Sequence, residues 1–463
     1  MDKESSARAG ASMKTVSLIT SSLAVFSITF MITSMNVALP FISEDFQADV
    51  ILLGWVVTAY VLAVAVLSLP FGRISDIFGI KKLFLAGVVL YTLGLILAAV
   101  SNSTITLIIA RAILGIGGAL VVPNALAMII AVYPANERGK ALGLNTACVF
   151  MGSSLGPFLG GILTAHLGWR SIFLINIPII LIVIFLLAWK IPGEWCASRG
   201  EKFDYKGSLV FGFALVALML GFSYLPEIRG IILVLTGLAG LGIFIKVENG
   251  IRSPLLNINA FKTNRTFIYS NLAALIIYSV VFALTFLLSL YLQYNKGFSP
   301  EQAGLILVVQ PVVQAVLSPF IGRLSDKIEP RIITSAGMLL VSFGLLSFVF
   351  LANGTSLVQI ILGLAILGTG FALFASPNIN AIMSSVEPKS YGVASAMIST
   401  TRCVGQMLSM GITIMVMATV VGRVIITPEF YPAYLTGARI SFAIFTVMCL
   451  AGVFASLARG KQK

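Results

Sequence analysis

A chain of 463 residues with 58% hydrophobic and 10% charged residues, at a mean hydropathy of +1.03, cannot cover a water-facing surface. Soluble proteins carry about 25% charged residues, so this composition excludes a soluble globular domain and leaves a surface that faces lipid. The net charge of +13 does not mark a nucleic-acid partner, because the Lys and Arg residues sit in short segments between long apolar runs.

The polar segment from Met1 to Lys14 precedes an uncharged run, Val16 to Leu39, with no clear small-residue cleavage site, and reads as an uncleaved first span. Further uncharged runs extend from Val50 to Gly72 and from Leu83 to Ala110. A membrane helix needs about 20 such residues, whereas barrel strands are about ten residues long and alternate in polarity. The spans are therefore helices. Fourteen are expected, over 16–39, 50–71, 83–101, 105–130, 140–164, 171–190, 207–225, 230–247, 266–292, 301–321, 333–352, 356–384, 392–421 and 437–458. Cys148, Cys196, Cys403 and Cys449 have no metal-ligand spacing, and no metal site or cofactor is expected.

Lys and Arg set the orientation. With the N-terminus inside, 23 of them fall in inner segments against 5 in outer ones, namely Arg170, Arg229, Lys296, Arg423 and Arg439. Arg111 and Arg402 remain inside spans. Both termini are expected in the cytoplasm, in a multi-pass protein of the cell membrane.

The chain also repeats itself. Gly72-Arg73-Ile74-Ser75-Asp76 returns as Gly322-Arg323-Leu324-Ser325-Asp326, and Val122-Pro123-Asn124-Ala125 as Ser376-Pro377-Asn378-Ile379. Gly139 and Gly152 match Gly392 and Gly405 at an offset of 253 residues. The expected plan is an all-α polytopic membrane protein with two six-helix bundles, 16–190 and 266–458. Two extra transmembrane helices (207–247) stand between cytoplasmic loops 191–206 and 248–265, and the tails are 1–15 and 459–463. Duplicated halves are a recurring construction of secondary transporters, with the substrate site near the midplane between the repeats.

At this level the sequence resembles the major facilitator superfamily, in particular its fourteen-helix drug:proton antiporter branch. The run from Gly72-Arg73 through Asp76 to Lys81-Lys82 is similar to the family's signature loop. Leu107-Ile108-Ile109-Ala110-Arg111 with Gly115, Gly117 and Gly118 resembles its fourth-helix motif, with Leu114 where a glutamine is common. Gly152-Ser153-Ser154-Leu155-Gly156-Pro157-Phe158-Leu159-Gly160-Gly161 resembles the antiporter motif of helix five, and Asn36-Val37-Ala38-Leu39-Pro40 and Trp169-Arg170 complete the likeness.

The resemblance implies an inner gate biased by Arg73, Asp76, Lys81, Lys82, Arg323 and Asp326. Carboxylates at helix ends beside guanidinium groups can pair in one conformation and part in the other. It also implies that the strip Gly152, Gly156, Pro157, Gly160 and Gly161 packs against the other half, although the four-residue spacing serves tight helix packing equally well. Candidate substrate or coupling residues are Met31, Asn36, Tyr60, Arg111, Asn124, Asn145, Gln310, Gln314, Asn378 and Arg402. The family commonly has an aspartate where Met31 stands, and each of the 17 acidic residues falls in an expected loop, terminus or helix end. The expected solutes are therefore neutral, zwitterionic or anionic amphiphiles.

The functional expectation is a monomeric secondary active transporter in the lipid bilayer. It exports small drug-like compounds or metabolites by alternating access, with protons as the coupling ion that the resemblance implies. The alternative is an uncoupled or differently coupled facilitator or importer of one neutral or anionic metabolite. No Ser/His/Asp set, phosphate loop or soluble sensor domain supports an enzyme or a receptor.

Overall fold

The computed structural model describes residues 2–191, 193–196, 200, 203–248, 255, 264–325, 328–386 and 391–459. Fourteen segments among them are long and apolar enough to cross a membrane. In chain order the helices are α1 (Asp2–Phe46), α2 (Val50–Phe78), α3 (Ile80–Ala99), α4 (Thr104–Val132) and α5 (Ala135–Leu167). They continue with α6 (Ser171–Lys190), α7 (Tyr205–Tyr224), α8 (Ile228–Glu248), α9 (Arg265–Leu290) and α10 (Pro300–Leu307). The last are α11 (Val309–Ser325), α12 (Pro330–Val349), α13 (Leu357–Ser384), α14 (Tyr391–Val420) and α15 (Tyr431–Leu457). A π-helical turn, Tyr291–Asn295, extends α9, and α10 and α11 share one span. An even number of crossings brings both chain ends to one side, called here the terminal face.

Helix ends are marked by residues that satisfy free backbone donors. Asp49 accepts from the Leu52 amide at 2.8 Å, and Ser103 with Thr106 and Ser299 with Gln302 form reciprocal capping boxes. Several boundaries differ from the sequence expectation, among them the end of α2 at Phe78 rather than 71. The first helix runs through Pro40 to Phe46, and the last begins at Tyr431, where Pro432 takes a first-turn position that needs no N–H. Arg439, which the charge count assigned to an outer segment, lies in α15, where its Nε donates to the Leu351 carbonyl at 2.5 Å.

Helices α1–α6 pack with one another, as do α9 and α11–α15, while α7 lies against both α2 and α14 and carries α8 on its far side. The close crossings repeat. Gly87 and Gly117 let α3 and α4 meet backbone to backbone, and Gly337 and Gly370 do the same for α12 and α13. Gly115 sits on the Tyr60 and Ala63 backbone region of α2, and Gly368 on Gln310 and Val313. Gly152 sits against Phe26, Thr29 and Phe30 of α1, and Gly405 against Leu275, Tyr278 and Ser279 of α9. Without an apolar solvent effect between helices in lipid, such close backbone approach carries much of the packing energy.

A Cβ at Gly117 would lie 2.7 Å from the Tyr91 amide nitrogen and 2.9 Å from the Gly87 carbonyl oxygen, both rigid backbone. Gly117→Leu is therefore expected to destabilise the protein by about 1–3 kcal/mol or more through overpacking. Gly143→Ala, whose Cβ meets nothing within 4 Å, should be nearly neutral. Thermal unfolding in detergent checks the pair.

Candidate functional site

The two sets of helices are joined at the face opposite the termini. Pro40 has no N–H, so the Asn36 carbonyl one turn earlier loses its helical partner. Ser289 of α9 fills that vacancy, its hydroxyl donating to the Asn36 oxygen at 2.6 Å. The π turn after α9 lets Gln293 reach the next carbonyl, Val37, at 3.0 Å. Near the same face the Val50 amide donates to the Val424 carbonyl at 3.4 Å, Ile414 packs on Gly54, and His166 lies 3.7 Å from Glu301. Between α5 and α10, Gly161 receives the Pro300 carbonyl and Gly304 receives that of Pro157.

Burial follows this seal. Residues Ser34–Leu39 of α1 and Phe286–Leu292 of α9 and its π turn are buried on every side, whereas half-exposed positions recur from Thr33 and Thr285 towards the terminal face. Packing between the bundles is therefore tight at one face and looser towards the other, where the family's shared cleft is assigned.

The polar lining of that cleft lies mainly on α14. On this helix Thr401 donates to Asn271 of α9 at 3.4 Å, Gly405 packs on Tyr278, and Ser409 accepts from the Ala283 amide at 3.0 Å. Further along, Ile414 faces α2 and Gly411 faces Phe222 of α7. Residues three and four apart share a helix face, which puts Ser399, Arg402 and Gln406 on the arc between α9 and α2. All three are half-exposed, while Thr401, Cys403, Gly405 and Met407 are buried. The Arg402 guanidinium lies beside the Cys403 sulfur, within electrostatic reach of Tyr60 from α2 and Tyr278 from α9. Half-exposed Tyr278 and Phe282 flank it, and Tyr278 meets Phe371 edge-on at 5.6 Å.

Arg111 occupies a different place. It is fully buried behind Tyr60, with its guanidinium 5.0 Å from the Tyr60 ring centre and its Nε donating to the Val56 carbonyl at 2.9 Å. A carbonyl and a π face together let a cation persist at that depth. Gly118 leaves room for the Tyr60 hydroxyl.

The other expected lining residues are dispersed. Met31 is buried towards α6, its sulfur 3.8 Å from the Asn176 amide nitrogen, and Ser27 holds the oxygen of the same amide at 2.6 Å. Asn124 donates to the Leu120 carbonyl of its own helix at 2.6 Å. Asn36, Asn145, Gln314 and Asn378 are buried and Gln310 is half-exposed. The expectation that the whole glycine strip meets the other half is corrected by the packing. Gly152, Gly156 and Gly160 rest on α1, whose Ser34 hydroxyl donates to the Gly156 carbonyl at 2.9 Å. Only Pro157 and Gly161 touch α10.

At the terminal face, Arg73 and Asp76 are half-buried in the last turns of α2. Asp326 and the side chain of Arg323 lie outside the described residues. Sequence reasoning missed Glu194, which follows α6. Its carboxylate accepts from the Lys81 and Lys82 backbone amides at 2.7 and 3.1 Å, while the Trp195 carbonyl accepts from Ile80 at 2.9 Å. An acidic residue is favoured there by the free donors of the α3 N-terminus. Gly79, at φ +121°, brings the chain past that carboxylate in a conformation open mainly to glycine. The one legible sign was an acid within a basic loop.

The sequence pattern described as Major Facilitator Superfamily matches residues 21–410 and, in a second placement, 271–461. The chain is 32% identical to the riboflavin transporter RibZ of Clostridioides difficile (strain 630), across 84% of this chain and 85% of that protein. It is 31% identical to the multidrug resistance protein Stp of Mycobacterium tuberculosis (strain CDC 1551 / Oshkosh), across 86% and 74% of the two chains. Among solved structures, a peptide transporter POT in complex with sulfate superposes with a TM-score of 0.71 at 15% identity, covering 96% of each chain.

Glu194→Ala removes the acceptor for two backbone donors and is expected to destabilise the protein by about 1–2 kcal/mol, with Glu194→Gln recovering part of the loss. Chemical denaturation of the purified protein measures the difference.

Proposed function

Because the chain belongs to the Major Facilitator Superfamily, we propose that it is a secondary transporter that exports small amphiphilic solutes by alternating access. The observation that carries this reading is the joint between the bundles. Hydrogen bonds cross it at one face only among the contacts described, above a cleft with a half-exposed polar stripe. The terminal face is assigned to the cytoplasm from the positive-inside bias, in the cell membrane, so the cleft is drawn as loading from inside. Export is supported by the identity to a multidrug resistance protein, since a transporter confers resistance by moving compounds out. Arg73 and Asp76, with Arg323 and Asp326, are assigned to the gate that closes the terminal face when the opposite seal opens. Lys81 and Lys82 frame that gate through the turn that Glu194 holds.

A second reading is movement of a single metabolite. It rests on the 32% identity to a riboflavin transporter. Saturation by one solute, with no flux of unrelated dyes, would favour it.

Cells that express the chain are expected to lose a preloaded fluorescent solute faster than cells without it. Asp76→Asn should slow that loss about tenfold at equal membrane abundance, as a shift of about 1.4 kcal/mol between gate states requires. Equal loss with and without the chain would sink the export reading, and full efflux by the variant would remove Asp76 from the gate.

A further inference from the structure

The two arginines nearest the cleft differ in accessibility, and the difference is chemical information. Arg111 is spent inside the protein, held by the Val56 carbonyl and the Tyr60 ring. Arg402 is half-exposed on the arc of α14 that faces the gap between α2 and α9, and no carboxylate pairs with it among the described residues. The repeat sharpens the point. At the offset of 253 residues, Ser399, Arg402 and Gln406 correspond to Thr146, Val149 and Ser153 of α5, so a valine stands where the other wall has its cation. One wall of the cleft is charged, and the charge is single in sign.

We infer that the stripe Ser399–Arg402–Gln406, with Tyr278 and Phe282 beside it, is a binding site for aromatic organic anions. This deepens the transporter reading and rests on it. An arginine at this depth keeps its charge, so a group that compensates the lost hydration gains by binding it. A carboxylate, sulfonate or phosphate of a solute would supply a planar or bidentate partner to the guanidinium. Gln406, one turn from Arg402 towards the sealed end, adds an amide that can donate to the same acidic group, and Ser399 adds a hydroxyl one turn the other way. The Tyr278 and Phe282 rings offer an apolar surface on which a flat solute can stack. The same fixed charge repels a cationic aromatic of equal shape, so the site discriminates by sign.

Two dyes on one xanthene core test this, fluorescein as the anion and rhodamine 123 as the cation. Fluorescence polarisation with the purified full-length protein in detergent reads binding without requiring transport. The wild-type protein is expected to bind fluorescein at least tenfold more tightly than rhodamine 123. Arg402→Gln should weaken fluorescein by roughly ten- to a hundredfold, the span for a hydrogen bond to a charged group, and should not weaken rhodamine 123. Arg402→Lys, which keeps the charge and loses the fork, should fall between, and it keeps the test valid where the glutamine variant fails to fold. Equal affinity of the wild type for both dyes, no fluorescein binding, or an unchanged dye ratio in both variants overturns the inference. Each of those outcomes leaves export itself to the flux measurement, which uses other solutes.

Discussion

Backbone polar groups in a bilayer have no water to turn to, so each carbonyl released from a helix must find a partner within the protein. Pro40 releases the Asn36 carbonyl near the end of α1, and the protein answers with a hydroxyl from the other bundle rather than from the same one. That choice makes a local helix defect into a joint between halves. Gln293 reinforces it only because a π turn at the end of α9 rotates its side chain towards α1. A joint made of a few hydrogen bonds, each contributing about 0.5–1.5 kcal/mol net, holds one conformation without locking it. The glycine–proline exchange between α5 and α10 has the same character, since it relies on close fit and leaves no charge behind when it parts.

Contacts inside each bundle are of another kind. Gly87 with Gly117, and Gly337 with Gly370, bring backbones together without side chains between them, and the same pattern recurs at Gly152 and Gly405. These crossings resist opening, because a gap of about 0.5–1 Å already forfeits about a quarter to a half of the dispersion energy. Close fit runs along each bundle, while the hydrogen bonds described across the joint gather at one face, an arrangement that suits the proposed rocking of one bundle against the other. The hairpin of α7 and α8 adds a lateral brace, for α7 touches α2 through Gly212 and Val66 and touches α14 through Phe222 and Gly411.

The spans were legible in the sequence because twenty apolar residues admit little else in a bilayer, and the halves because loop charges and glycines recur together. What escaped was set by direction rather than by type. The glycine strip of α5 was read as one surface, but its four-residue period turns Gly152, Gly156 and Gly160 to α1, while Gly161, one residue on, faces α10. Met31 was marked through its position in a motif, yet that side of α1 points to Asn176 of α6. Arg402 was legible as a charge in an apolar run. Gln406 and Ser399 were not, because only the packing of α14 on α9 and α2 reveals that they share its face. Arg439 was counted with the outer segments although the expected last span, 437–458, already held it, and it lies inside α15.

The same charge layout bears on energy coupling. Among the described residues no acidic side chain lies in the middle of a span. On the inference that Arg402 binds a solute anion, the charge of the cleft changes during the cycle. With a monoanion bound the cleft is neutral, and when empty it carries one positive charge, so the two crossings differ by one charge. A membrane potential acts on that difference by about 2.3 kcal/mol per charge per 100 mV. Under the proposed export cycle, an interior-negative potential would draw the empty positive cleft to face inward and leave the outward crossing of the neutral complex unopposed. An arginine facing the cleft can therefore draw on the membrane potential for the step that an embedded carboxylate drives with protons.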